Sequence, residues 1–325
     1  MLLRLVPENT SLNFMALRKV ALVFSVLLII GSLALFAVNS LNYGIDFKGG
    51  ISVEVQMEDK SDIPIERVKE AVAEMGYINP SVREYGEKWD AMIRLERQPG
   101  DDKAQAAVIE KLRNDLPVAI PGIIFLDGNF ISPTVSGELK QDGALAVTIA
   151  VLAVLVYIWF RFEWQFGLGA VVALVHDVLL TVGFFAITRL EFNLSIIAAI
   201  LTIVGYSLND TVVVYDRVRE NIRKFRKKEM GEIVNFSLNQ TLSRTIMTSV
   251  TTLLALFALF FFGGEGIRGF TAAMIWGVVV GTYSSIFIAS PMLLMFDIRR
   301  DAIIGEDKND PTVDKSRPSN PFEQV

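Results

Sequence analysis

Asn209, Asp210, Arg244, His176 and Asp177 are polar or ionisable side chains set within or at the ends of long apolar runs. A charge at the centre of a membrane helix costs roughly 2.5 to 3.5 kcal/mol on insertion scales, so it is rarely kept without a partner or a role. Asp210 lies about a turn from the end of its run, and Ser195, Thr202, Tyr206 and Asn209 recur at helical spacing on or beside its face. Arg244 opens a second stripe, continued by Thr248, Thr251, Thr252 and Ala255. Both stripes are expected to face the protein interior. At 1.5 Å rise per residue, Asp210 and Arg244 come within roughly 6 Å in depth on successive antiparallel helices, close enough to meet. Two readings follow. In one, a moving Arg244 switches Asp210 between release and capture of a proton, because a carboxylate stays ionised beside a guanidinium and takes up a proton when left alone in apolar surroundings. In the other, the pair is a salt bridge that only holds two helices together. Asp177, with Thr181 and Thr188 on its face, is a weaker second proton position, and hydrogen-bonded packing is the simpler account of it and His176.

Membrane helices must carry these residues. Apolar runs long enough to cross a hydrocarbon core of roughly 30 Å occur six times, near 19–38, 143–160, 166–187, 192–214, 245–262 and 270–296. The first follows Arg18 and Lys19, as a signal peptide would, but it is longer than an h-region of about 7 to 15 residues and is read as a retained helix. Lys and Arg crowd into 216–244, whereas the links 188–191 and 263–269 carry only Arg189 and Arg268, so the basic stretch is expected in the cytoplasm. Six crossings then place both termini there. The expected organisation is a cytoplasmic N-terminus over 1–18, a first span over 19–38, an exterior domain over 39–141, five further spans over 142–297 with a basic cytoplasmic loop at 215–243, and a disordered cytoplasmic tail over 298–325. Gly277 and Gly281, a Gly-x-x-x-Gly pair in the last span, read as close helix packing.

Between the first two spans the composition becomes that of a soluble domain, with 18 Asp and Glu against 12 Lys and Arg from Asn39 to Lys140. Ile51 to Met57 alternates as a strand, Pro64 to Met75 has helical spacing, and Ser81 to Tyr85 and Ala91 to Glu96 bracket a turn. Asp101 to Leu116 is again helical and Gly122 to Leu126 returns as a strand. That β-α-β-β-α-β order predicts an α+β ferredoxin-like domain, an antiparallel sheet backed by two helices. The loop that leaves the first span carries Gly44, Asp46, Gly49 and Gly50, and reads as a tight turn into the first strand or as a conformational element.

Several function classes drop out. With 52% hydrophobic and 21% charged residues the chain does not have the composition of an ordinary soluble protein. It contains no cysteine and one histidine, which leaves no thiolate metal site, disulfide or Cys-based redox centre. No Gly-Lys-Ser/Thr sequence leads into a helix, so no nucleotide is expected. An acidic exterior domain predicts no nucleic-acid partner. No cofactor or metal is expected, the coupling ion is a proton, and the chain is read as not an enzyme.

The motifs YGIDFKGG at 43–50, YIWFRFEW at 157–164, ALVHD at 173–177, GYSLNDTVVVYDRVRE at 205–220 and NQTLSRT at 239–245 occur in an order and spacing that resembles the SecD/SecF family of protein-translocase subunits. The match runs from about 18 to 297, and an exterior domain of about 100 residues fits the SecF side of the family better than the SecD side. The resemblance implies a half-unit of the resistance-nodulation-division type in the bacterial inner membrane. Such a subunit pairs with SecD, associates with the SecYEG channel amid membrane lipids, and uses the proton motive force to draw translocating secretory polypeptides outward. It also places the family's intramembrane Asp and Arg at Asp210 and Arg244. The alternatives are a half-size proton-driven exporter of a small or lipidic substrate, and a passive assembly subunit.

Overall fold

The computed structural model describes residues 10–78, 80–296 and 298. Apart from Ile298, the tail expected over 298–325 lies outside the described residues, as do residues 1–9 of the N-terminal segment. Helix α1 spans Arg18–Asn39, and a short helix α2, Ile45–Lys48, leads into strand β1, Gly50–Met57. Helix α3 (Ile65–Glu74), strands β2 (Ser81–Tyr85) and β3 (Glu87–Leu95), helix α4 (Asp102–Ala119) and strand β4 (Ile123–Ile131) follow. Then come α5 (Pro133–Arg161), α6 (Trp164–Thr188), α7 (Leu194–Lys224) and α8 (Met230–Phe262). The last helix begins as α9 (Glu265–Ser284), passes through a π-helical segment at Ser285–Ala289 and ends as α10 (Ser290–Met295). Among the described residues, six helices are long and apolar enough to cross a membrane.

The four strands form one antiparallel sheet in the order β2-β3-β1-β4. Alternation along β1 sends Ile51, Val53 and Val55 to one face, where they are fully buried with Ile93 of β3, Val68 and Val72 of α3 and Leu112 and Leu116 of α4. Each such side chain contributes roughly 1.5 to 3 kcal/mol through burial. The Asp101 carboxylate starts α4 by accepting from the Ala104 amide at 3.1 Å.

Helix α5 begins ten residues before the apolar run that marks its span, because Ser132 caps it by accepting from the Val135 amide and Pro133 occupies its first turn. Hydropathy alone passes over that polar start. The expected loop at 215–243 is helical to Lys224 and again from Met230. Val214, Val218 and Ile222 recur every four residues and are buried against Ile233, Val234 and Leu238, so an apolar stripe continues α7 beneath its cluster of charges.

Packing of α9 on α7 centres on small residues. A Cβ on Gly277 would run into the side chain of Ile203, which is 1% exposed, and one on Gly281 would sit 3.0 Å from Ser207 Cβ. Gly277→Ala is therefore expected to lower the melting temperature of the detergent-solubilised protein, whereas Gly205→Ala, with open space beside it, should leave it unchanged or slightly raised. Thermal unfolding of the purified variants, followed by intrinsic fluorescence, checks the pair.

Candidate functional site

Four helices converge on two buried carboxylates. Asp210, on α7 and 9% exposed, accepts a hydrogen bond from Thr245 Oγ1 of α8 at 2.7 Å and one from Ser285 Oγ at 3.1 Å. Asp177, on α6 and 0% exposed, accepts from Ser207 Oγ of α7 at 2.6 Å and from Ser284 Oγ of α9 at 2.8 Å on the same oxygen. Its other oxygen faces His176 Nδ1 at 2.9 Å, and opposite a carboxylate that nitrogen is the donor. The His176 ring lies nearly parallel to Tyr283, whose hydroxyl sits 2.9 Å from Ser25 Oγ of α1.

The two sites are joined through α7 and α9. Ser207 stands one helical turn before Asp210, and the consecutive residues Ser284 and Ser285 each serve a different carboxylate. Successive helical side chains diverge by about 100°, so one strand of backbone can reach both sites only where they flank it. The helix changes to π geometry at Ser285, and Ser290 Oγ donates to the Ser285 carbonyl at 2.7 Å across the widened turn. Beyond Asp210, toward the end of α7, Tyr215 is fully buried, donates to the Ala289 carbonyl at 3.0 Å and packs edge-on against Phe166.

Arg244 does not bond into this network, although its charge is near enough to act on Asp210. Among the described residues no hydrogen bond or ion pair links it to Asp210, and its side chain is exposed. The inward position on α8 is taken by Thr245, the next residue, which turns Arg244 onto the outer face. The expected interior stripes fail for a related reason. Ser195, Thr202, Asn209, Thr251 and Ala255 are exposed. Thr202 and Thr251 donate to the carbonyls of Ala198 and Met247, four residues back, which satisfies a hydroxyl without any interior partner. Only Tyr206, Thr248 and Thr252 are partly buried, with the Tyr206 hydroxyl 3.4 Å from Thr252 Oγ1. Thr181 likewise donates to the Asp177 backbone carbonyl, not to its side chain, and Thr188 is exposed. Ser207, Thr245, Ser284 and Ser285 hold the carboxylates and escape a reading by charge. The one trace in sequence is a run of hydroxyl residues, Ser284, Ser285 and Ser290, inside an otherwise apolar span.

The glycine-rich loop is a docking piece. Asp46 Oδ2 accepts from the Leu194 amide at the start of α7 at 2.9 Å, and the Gly44 amide donates to the Phe192 carbonyl at 2.9 Å. Phe47 is buried against Phe192 and close to Phe185 and Ile196 of the membrane helices. Gly49 and Gly50 have φ of 76° and 149°, and a Cβ on Gly50 would meet the Leu95 carbonyl oxygen at 2.6 Å.

Residues 121–299 match the family model for the C-terminal part of the protein-export membrane proteins SecD and SecF, and residues 34–60 match the SecD/SecF GG motif. The chain belongs to the SecD/SecF family. Curated relatives named protein translocase subunit SecF, from Rickettsia felis and Rickettsia prowazekii, are each 44% identical over 92% of this chain, and cover 96% and 95% of those proteins. A crystal structure of SecDF, described as a translocon-associated membrane protein, from Thermus thermophilus superposes on 91% of this chain with a TM-score of 0.74 and 33% identity. A SecDF structure in a super-membrane-facing form gives 0.67 over 90%. This chain spans 40% of each of those longer chains. With six apolar spans, this SecD/SecF member is a multi-pass membrane protein of the protein-transport machinery.

Asp177→Leu removes the acceptor of two buried hydroxyls and is expected to destabilise the helix bundle by about 1 to 3 kcal/mol, whereas Asp177→Asn keeps an acceptor and should cost less. Melting temperatures of the two variants in detergent, measured beside the parent protein, test the order.

Proposed function

We propose that this chain is the SecF half of a proton-driven export device. It pairs with SecD, works beside the SecYEG channel, and draws secretory polypeptides out across the bacterial inner membrane. Both termini then lie in the cytoplasm, and the β-α-β-β-α-β unit is a ferredoxin-like domain on the outer side that holds the moving chain. The single observation that carries the reading is Asp210. This intramembrane carboxylate is held by two neutral hydroxyls from two other helices, in a family whose members are named as translocase subunits.

Proton transfer at Asp210 changes what those hydroxyls can do. An ionised carboxylate accepts from both Thr245 and Ser285, while a neutral one must donate at one oxygen. Ser285 Oγ already shares its proton with the Thr282 carbonyl at 3.0 Å, so it can let go of Asp210 without being left unsatisfied. Uptake of a proton by Asp210 then releases Ser285, and loss of that proton leaves an ionised carboxylate that takes back both hydroxyls or draws Arg244 inward, as α8 and α9 shift. Each charge that crosses gains about 2.3 kcal/mol per 100 mV, enough to bias a two-state equilibrium by tens-fold. Asp177, with its full complement of donors, serves as a fixed point of the bundle or as a second proton position.

Pairing with SecD has its own support. Asn209 on α7 and Arg244 on α8 leave polar groups exposed on two spans that pack together. An uncovered guanidinium there is costly in lipid, and a second membrane subunit would cover it. A small-molecule exporter would instead need a pocket between helices open to the bilayer. The passive-subunit reading separates from ours by mutation.

Asp210→Asn is expected to keep normal membrane levels and abolish the gradient-dependent part of export. Arg244→Lys should be poorly tolerated, because an ammonium cannot reproduce a forked guanidinium pair. The measurement is export of a model secretory protein into inverted vesicles matched for this subunit and its partner, with and without an imposed proton gradient. Full gradient-dependent export by Asp210→Asn would leave a structural staple as the better reading. For the topology, single cysteines at Lys103→Cys and Lys227→Cys should react with an impermeant reagent from opposite sides of the membrane, and labelling from one side would overturn it.

A further inference from the structure

The link between α6 and α7 is five residues long, 189–193, and joins the helix that carries Asp177 to the helix that carries Asp210. At its centre stands Glu191, with only 14% of its side chain exposed. One carboxylate oxygen accepts a hydrogen bond from Arg94 Nη1 on β3, and the other forms an ion pair with Arg83 Nη1 on β2 at 3.2 Å. A single carboxylate therefore ties two neighbouring strands of the sheet domain to the membrane helices.

Around it the same link is bonded to the chain that rises from α1 into the domain. Phe192 exchanges backbone hydrogen bonds with Asn42 and Gly44, and Arg189 Nη1 donates to the carbonyls of Asn39 and Ser40 at 2.7 and 2.8 Å. Asp210 lies sixteen residues along α7 from its first residue, about 24 Å on a continuous helix, so a tilt or slide of α7 at Asp210 must appear at this link. Clefts of about 80 and 590 Å³ flank the clamp, and Arg83, Arg94 and Glu191 line both of them. The clamp thus borders open space on two sides.

We infer that Glu191 is the positioning residue through which movement of α7 drives the sheet domain. It acts as a two-strand ionic coupling between the proton site and the part of the molecule that handles the polypeptide. The inference rests on Asp210 being the proton site. A partly buried carboxylate bound by two guanidinium groups is directional and reaches the sheet itself. The Tyr85-Gly86 turn lying against Gly264 and Gly266, by contrast, is a contact of small groups that can slide, and the bonds of Asp46, Phe192 and Arg189 hold only the chain entering the domain. Gly44 is part of the fit, since a Cβ there would stand 2.6 Å from Glu191 Oε1.

The test uses the full chain with its partner subunit in inverted vesicles. Glu191→Gln keeps the shape and loses the charge. It should lower the gradient-dependent part of export roughly tenfold, the size expected when a charge-assisted hydrogen bond and an ion pair are weakened, with membrane level and gradient-independent export unchanged. Exchanging the charges of the whole clamp, Glu191→Arg with Arg83→Glu and Arg94→Glu, should restore at least half of it, a rescue that loss of folding would not permit. A second readout follows the motion itself. Spin labels on Lys103→Cys in α4 and Ser195→Cys at the start of α7, both exposed, should change separation when a gradient is imposed, and should not do so with Glu191→Gln. Unimpaired gradient-dependent export and an unchanged separation response in Glu191→Gln would overturn the inference, as would failure of the charge exchange to rescue. Asp210→Asn in the same vesicles keeps the two ideas apart: if it still exports with the gradient, the proton site is wrong, while the separation response with intact Asp210 still judges the clamp.

Discussion

A carboxylate inside a membrane protein must have its lone pairs met by donors, and in this molecule that requirement organises the bundle. Asp177 and Asp210 sit on neighbouring helices, and their donors come from α6, α7, α8 and α9. Burying an acceptor without partners costs several kcal/mol, so these helices move relative to one another only where one donor can replace another. The consecutive serines Ser284 and Ser285 couple the two sites through one backbone. The π-helical turn that starts at Ser285 lies where that coupling is made, and the glycines at 277 and 281 let α9 approach α7 closely enough to make it.

The same helices end at the surface where the sheet domain is held. Asp46 caps the first turn of α7, Phe47 inserts among the aromatic side chains at its head, and Glu191 grips two strands. The buried network midway along α7 and the charged clamp just before its first turn lie on one continuous helix. Apolar and small contacts elsewhere leave the domain room to turn.

Much of the fold was legible because hydropathy and period act locally. Six apolar runs match six long helices, and alternation at 51–57 and the turn bracketed by 81–85 and 91–96 mark strands that the structure contains at nearly the same residues, although the second of that pair begins at Glu87. Where two signals compete, the louder one misled. The charges after Val214 mask a four-residue apolar period that keeps α7 helical, and hydropathy does not register the polar start of α5, which Ser132 and Pro133 mark. For the site, Asp210 and Asp177 stood out as ionisable groups within apolar runs. Their real partners are hydroxyls, which a membrane helix also uses to bond its own backbone, as Thr202 and Thr251 do. Nothing in spacing separates a serine that caps itself from one that reaches a carboxylate.

By itself the sequence determined where the chain is apolar, which segments are strands or helices, and which carboxylates would be expensive to bury, because each depends on residues within a few turns of one another. Only the tertiary structure decided that Thr245 and not Arg244 faces Asp210, that adjacent serines serve different carboxylates, and that Glu191 clamps Arg83 and Arg94. Those choices rest on the rotation of one helix about its axis relative to its neighbours. A difference of one residue, about 100° of rotation, exchanges a buried partner for an exposed side chain, and that angle is set by the packing of the whole bundle.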